Sequence, residues 1–277
     1  MGLGGYLMWT AVAREIYKAS GGVKCLPIES HGAFIKSIKS EIFDNNPHFL
    51  QSGDAFEIAC PLCLNHPDTN YCKKDTPEKA YHRYDKHVIS QICEFYGIEN
   101  PDLKCQIFLR KEEKIPAMKL KEKLGKFVTI EPHSKLEYTP NRAYSFQKWQ
   151  VIVDALCDKI NFIQVGLENR RCLENVTDVR GTTTFREAAG ILQESELFIS
   201  TEGGLAHAAN AVDTKSLVIM TGYQDNKMVC YPQNINIDIS SHGPCGLKGV
   251  CQDCERDVNN HNPEEIINVL KEVLEIE

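Results

Sequence analysis

No stretch of this sequence reaches the roughly 18 consecutive apolar residues that a spanning helix requires, so a transmembrane segment is not expected. Tryptophan is scarce. The two residues, Trp9 and Trp149, read as core or rim positions before they read as sugar platforms. A basic surplus is also missing. Against 31 Lys and Arg stand 38 Asp and Glu, a net charge of −7, which disfavours a nucleic-acid protein because phosphate contacts need clustered cations. The one basic concentration, RKEEKIPAMKLKEKLGK at 110–126, interleaves glutamates and reads as a solvated helix or linker. The opening MGLGGYLMWTAVAREIYK has no basic segment before its apolar run and passes straight into an amphipathic pattern with Arg14, Glu15 and Lys18, unlike an export signal. Tyr6 stands where a myristoylation signal wants Ser or Thr. The chain is therefore expected in the cytoplasm, with a peripheral position at the inner membrane left open. Internal repeats and low-complexity segments are lacking too.

What is present is enough chain, 277 residues, for one large domain or two smaller ones. A strand-then-helix rhythm signals an α/β architecture with parallel sheets. In the first half, 11–19, 33–43 and 86–98 are predicted helices, with Gly97 ending the last, and 24–30 and 105–109 are predicted strands. In the second half the strands are expected at 126–132, 161–166, 196–200 and 216–220. Helices are expected at 145–156 (capped by Ser145), at 183–195, after Gly204, and at 263–276 behind Pro263. The division expected is residues 1–118, an acceptor-side domain with a cysteine-rich insertion at 60–72, and residues 119–277, a donor-binding domain.

Twelve cysteines without an export signal are thiols or metal ligands rather than disulfides. Cys60, Cys63 and Cys72, with His66 between them, contain the Cys-x2-Cys spacing that lets two thiolates converge on tetrahedral zinc or iron. Cys245, Cys251 and Cys254 form a second candidate structural metal site, with His242 or His261 as a fourth ligand. The other reading of both clusters is reduced, partly buried thiols. For the remaining cysteines (25, 93, 105, 157, 172 and 230) core packing is the default.

The segment STEGGLAHAANA at 200–211 lies between the apolar runs ELFI and SLVIM. Ligands of open α/β sheets sit beyond the carboxyl ends of the strands. Gly203 and Gly204 permit close backbone approach there, and the unpaired N–H groups of the following helix suit a phosphate. His207, in the first turn, can donate to a phosphate oxygen. Glu202 accepts only, and so fits ribose hydroxyls or the helix N–H groups. A plain helix cap with a satisfied histidine accounts for the same residues.

Residues 180–222, with VTIEPHSKLEYTPNRAYSFQKWQVIVDAL at 128–156, FIQVG at 162–166 and the cysteine-containing tail, resemble glycosyltransferase family 9, the ADP-heptose:lipopolysaccharide heptosyltransferases; the likeness runs through 126–277. It implies a GT-B-like fold of two Rossmann-type parallel-sheet domains facing a cleft, the first of them short. It further implies a nucleotide-diphosphate sugar donor, ADP-linked, whose heptose or similar sugar passes to a hydroxyl of a cell-surface glycan or protein. By the resemblance Ser134 and Lys135 lie on the phosphates, Glu202, Gly203, Gly204 and His207 line the nucleotide and diphosphate site, and Gly166 joins them. Some members carry an iron-holding cysteine finger similar in kind to this tail. The opening GLGGYLMWTAVAREI resembles the family's amino-terminal motif, where an aspartate is the proposed base; the matching position here is Gly5. The family's first strand, expected ahead of that motif, is not in this sequence. Glu15, Glu29 and His31 are substitute bases to test, and the catalytic residue stays unassigned. The other functions compatible with the sequence are a non-catalytic nucleotide-sugar-binding or scaffold protein, and a metal-stabilised interaction protein.

Overall fold

The computed structural model describes residues 2–54 and 58–276. The chain opens on α1 (Leu3–Ala19), whose apolar side chains from Leu7 to Ile16 are buried. β1 (Cys25–His31) and β2 (Phe34–Ser37) form an antiparallel hairpin, and β3 (Cys60–Cys63) pairs parallel on the other side of β1. A separate hairpin of β4 (Cys72–Asp75) and β5 (Ala80–His82) follows, then α2 (Val88–Phe95) and α3 (Lys111–Leu124).

Beyond α3 the chain builds a six-stranded sheet. Its elements are β6 (Val128–Glu131), α4 (Phe146–Leu156), β7 (Phe162–Gln164), β8 (Thr177–Asp178), α5 (Phe185–Gln193), β9 (Leu197–Thr201), α6 (Gly204–Ala211), β10 (Ser216–Met220), α7 (Asn226–Val229) and β11 (Ile235–Asp238), closed by α8 (Gln252–Asn260) and α9 (Glu264–Val273). The spatial order is β11-β10-β9-β6-β7-β8, every pairing parallel. Renumbered from β6, this is the 3-2-1-4-5-6 order of a dinucleotide-type fold, and the strand order reverses between β6 and β9. Both faces of the central strands are covered, so β9 and β10 are buried throughout and read as unbroken apolar runs. Helix starts follow local chemistry. Ser145 accepts from Lys148 N at α4, and Thr184 with Glu187 makes a reciprocal box at α5.

One hydrophobic cluster unites α1, α2 and the near face of this sheet, so the short first half is packed onto the second rather than hinged away from it. A second cluster, with Trp149 at its centre and α9 over it, fills the far face. Trp9 and Trp149 are both core residues, as expected.

Two expectations for the first half are corrected. Residues 33–43 are not a helix. Gly32, at φ 64°, turns the chain back into the β1–β2 hairpin, and a 3-10 turn at 41–43 follows. Residues 105–109 form no strand and join no sheet. Their backbone finds side chains instead: Cys105 N donates to Asn210 Oδ1 at 2.7 Å, Gln106 N to Thr10 Oγ1 at 2.8 Å, and Phe108 O accepts from Arg186. The charged 110–126 stretch is largely α3, which runs through the expected 118/119 boundary with Pro116 inside it.

Candidate functional site

The carboxyl ends of β6 and β9 flank the reversal point of the large sheet. Glu202, Gly203 and Gly204 follow β9 there, and His207 sits in the first turns of α6. No side chain caps α6 at Gly203, and none caps α1 at Gly2. The first N–H groups of both helices are therefore left without capping acceptors. These two uncapped ends meet. A β-carbon added at Gly4 would stand 2.9 Å from His207 Cδ2 and 3.0 Å from Gly204 Cα. Two positive helix ends and no capping carboxylate make the junction attractive to an anion. The small residues Ala206, Ala208, Ala209 and Ala211 let α6 lie close under α1.

Glu202 does not cap the helix. Its Oε2 lies 3.0 Å from Arg142 Nε, and the Arg142 guanidinium also reaches Gln224 Oε1 at 2.9 Å. The Arg142 guanidinium lies over the rings of Tyr223 and Tyr138, 4.7 and 5.2 Å from their centroids, which holds its plane in one orientation. Arg142 ends a short 3-10 turn, Pro140–Arg142, whose position owes much to its neighbour. Asn141 Nδ2 donates to Leu247 O and Gly249 O, and its Oδ1 accepts from Cys251 N. Sequence reasoning placed the cation at Lys135, which is exposed. Arg142, partly buried among aromatic rings, was missed; the signal available was an arginine between Tyr138 and Tyr144 just before the Ser145 cap.

Ser134 follows β6 at the same edge of the sheet, and its enclosed Oγ has no hydrogen-bond partner in the protein. Gly166 ends the β7 segment at φ 126°, and a β-carbon there would stand 3.6 Å from Glu131 Oε1. Glu131, the last residue of β6, has its carboxyl pushed up to about 8 by burial. Glutamate at this position gave no sequence signal of function.

The substitute bases are elsewhere. Glu15 pairs with Arg14 and Lys18, while Glu29 and His31 face each other on the β1–β2 hairpin.

Three enclosed imidazoles lie near this junction. Burial, and then the Arg142 charge, push His207 and His82 down to about 4, and burial with His207 nearby pushes His87 down to about 3. Unfolded histidine titrates near about 6.5. Between these values the unfolded chain binds protons that the folded chain refuses, so the histidine contribution to stability is full above about 6.5 and is lost as pH falls toward 4. Glu131 acts oppositely, because its folded form keeps a proton up to about pH 8. With three histidines against one carboxyl, the thermal midpoint should fall on acidification from neutral pH, at up to about 1.4 kcal/mol per pH unit for each net proton. A midpoint that is flat or rises across that window would contradict the burial of these rings.

Of the two cysteine clusters, only the second is assembled. Cys245 and Cys254 Sγ lie 3.5 Å apart, His242 Nε2 is 3.5 Å from Cys254 Sγ, and the ligand atoms of His242, Cys251 and Cys254 all fall within 4.8 Å of one another. Tetrahedral zinc with bonds of roughly 2.1–2.3 Å needs ligand separations of roughly 3.6–3.8 Å, so this donor set fits. His242 Nδ1 bonds to Gly243 O at 2.5 Å, which leaves Nε2 free for a metal. The other candidate fourth ligand, His261, is hydrogen-bonded to Tyr144 Oη instead. Cys60, Cys63 and Cys72 are not brought together. Cys60 pairs across from Cys25, Cys63 Sγ lies on Asn65, and Cys72 Sγ lies on Lys74 O. The reason is geometric: 60–63 is a strand, and residues three apart on a strand point to opposite faces.

Among the described residues no helix is long and apolar enough to cross a membrane. No curated sequence matches the chain. Among solved structures, a glycosyl transferase family 9 protein from Veillonella parvula DSM 2008 is similar over 99% of this chain and 94% of its own, at a TM-score of 0.67 and 11% identity. The iron-containing dodecameric glycosyltransferase TibC from enterotoxigenic E. coli H10407 is similar over 99% of this chain and 74% of its own, at a TM-score of 0.67 and 15% identity. E. coli ADP-heptose lps heptosyltransferase II is similar over 68% of this chain and 62% of its own, at a TM-score of 0.50 and 12% identity. These likenesses agree with the α/β, GT-B-type class. The sequence model of glycosyltransferase family 9 (heptosyltransferase) matches residues 93–255, more than half of the chain, and the chain belongs to that family.

Proposed function

We propose that this protein binds a nucleotide-diphosphate sugar, ADP-linked, at the β6/β9 reversal point and transfers the sugar to a hydroxyl of a surface glycan or protein in the cytoplasm. The observation that carries this reading is the meeting of two uncapped helix ends beside Arg142 and His207. The amides of Gly203 and Gly204 and the Arg142 guanidinium hold the diphosphate. Glu202 steadies Arg142, and Ser134 faces the phosphates from the β6 side. Residues 1–118 serve the acceptor and 119–277 the donor. TibC has been described in complex with ADP-D-beta-D-heptose, and that donor class is carried to this chain as part of the proposal. In the transfer, the acceptor oxygen bonds to the anomeric carbon as the bond to the diphosphate oxygen breaks. Positive groups stabilise the leaving charge, and the hydroxyl proton passes to a base. The tail residues His242, Cys245, Cys251 and Cys254 would hold one structural zinc or iron.

A second reading has its own support. Gly5, at the family's aspartate position, borders a cavity of about 20 Å³ walled by Trp9, Leu64, Thr69, Asn70 and Tyr71. Among the described residues no carboxylate stands in those walls, which favours a donor-binding protein without transfer activity. Calorimetric titration with ADP, GDP and UDP tests the shared part, and His207→Ala should weaken binding by about 1–3 kcal/mol. Absence of binding by all three nucleotides would refute both readings. Turnover of bound donor with and without acceptor separates them.

A further inference from the structure

His207 is fully enclosed, and its two nitrogens face different partners. Nδ1 lies 2.7 Å from Tyr231 Oη, and Nε2 lies 3.9 Å from Glu202 Oε1, beyond hydrogen-bond reach. Tyr231 Oη in turn lies 3.1 Å from Cys105 Sγ, so thiol, phenol and imidazole form one buried chain. The rings of His207 and Tyr231 meet edge-on at 5.7 Å, and the His87 ring also packs on Tyr231, tilted, at 5.2 Å.

A neutral imidazole carries one proton, and the phenol at its Nδ1 has one to give. Only two arrangements satisfy the chain. In the first, the thiol donates to Oη, the phenol donates to Nδ1, and Nε2 carries the imidazole proton. In the second, Nδ1–H donates to Oη, the phenol donates to sulfur, and Nε2 presents a bare lone pair. Two facts select the first. Sulfur is a weak acceptor, and a phenol proton is better placed on an imidazole nitrogen. The second arrangement would also turn the Nε2 lone pair toward the Glu202 carboxylate.

We infer that Tyr231 is a positioning residue that locks His207 in the Nε2–H form, making it a standing hydrogen-bond donor for the donor diphosphate. The part that concerns the diphosphate rests on the function proposed above. The tautomer does not. Both the phenol and the thiol are buried and keep their protons, burial raising each.

Long-range nitrogen–proton NMR of labelled, ligand-free protein at neutral pH reads the tautomer, with the His207 signals assigned by their loss in His207→Gln. An unprotonated Nδ1 and a protonated Nε2 are expected in the parent protein; the reverse pattern overturns the inference. Tyr231→Phe should shift the signals toward a mixture of tautomers and weaken ADP binding about five- to twenty-fold. Cys105→Ser, which keeps a donor to Oη, should preserve the parent pattern. An unchanged tautomer in a folded Tyr231→Phe protein, or a changed tautomer with unchanged ADP affinity, would also overturn it. Should the parent protein fail to bind ADP, the proposed function falls, and the tautomer pattern still decides whether Tyr231 orients the ring.

Discussion

Arg186→Ala should cost about 3–5 kcal/mol of folding stability, the range seen when one partner of a buried ion pair is removed. Arg186 is 2% exposed and lies on α5, yet all its side-chain hydrogen bonds go to residues of the first half. Its Nε and one terminal nitrogen grip both oxygens of Glu113 on α3, at 2.7 and 2.9 Å. The other contacts are Glu41 O at 2.6 Å and Phe108 O at 2.5 Å, both in the first half. Glu113 is itself tied into the α3 start, accepting from Arg110 N at 2.6 Å, and the neighbouring charge holds its carboxyl below the usual range. Removing the guanidinium therefore strands a carboxylate and two carbonyls at the seam between the halves. Close packing leaves no room to rearrange, since a β-carbon at Gly190 would stand 2.7 Å from Glu113 O. Urea unfolding should show the midpoint falling. The paired replacement Arg186→Met with Glu113→Leu should recover much of the loss, because two apolar groups leave no orphan charge. Loss below about 1 kcal/mol in the single variant would mean that the pair is solvated.

The reach of the sequence can be judged from such residues. β9, α6 and β10 were legible because two buried apolar runs bracket a glycine pair, a pattern that local chemistry alone enforces. The Ser145 and Thr184 helix starts were legible for the same reason. What escaped was set by partners distant in the chain. Residues 105–109 have strand-like composition, but their hydrogen bonds go to Thr10 and Asn210. Residues 33–43 carry apolar positions at near-helical spacing, while Phe34 and Ile35 are exposed, at 81% and 69%, on a hairpin that Gly32 reverses. Lys135 stood closer to the expected phosphate loop than Arg142, yet only Arg142 is fixed by Glu202, Gln224 and two tyrosine rings. Within the charged 110–126 run, alternating signs announced a solvated helix and hid the one glutamate that Arg186 buries. The Cys-x2-Cys spacing of 60 and 63 was misleading because spacing implies convergence only in a turn, and this segment is a strand.

The second large effect is expected at the tail cluster. Purified, tag-free protein should hold about one zinc or iron per chain, a number that follows from one assembled set of four donors. Cys254→Ser should abolish it, while Cys60→Ser and Cys63→Ser should leave the metal content unchanged. The loss should spread beyond the finger, because the loop between Cys245 and Cys251 is one of the places where the first half is fastened to the second. Ala80 N donates to Gly246 O at 2.9 Å, Lys248 N donates to Glu78 O at 2.8 Å, and Lys248 Nζ reaches Asp75 at 2.6 Å. Gly246, at φ 61°, presses so closely on Ala80 O that no side chain fits there. Asn141 holds the same loop from the other side, one residue from Arg142. A ligand that binds only the folded form stabilises it by about 4 kcal/mol at a thousand times its dissociation constant. Chelation or Cys254→Ser should accordingly lower the thermal midpoint, and limited proteolysis should then cut within 72–82, where the β4–β5 hairpin has lost its anchor. Parent protein that is free of metal and equally resistant to protease would show that hydrogen bonds alone hold the clasp, and that the four donors are ordinary buried thiols around a histidine.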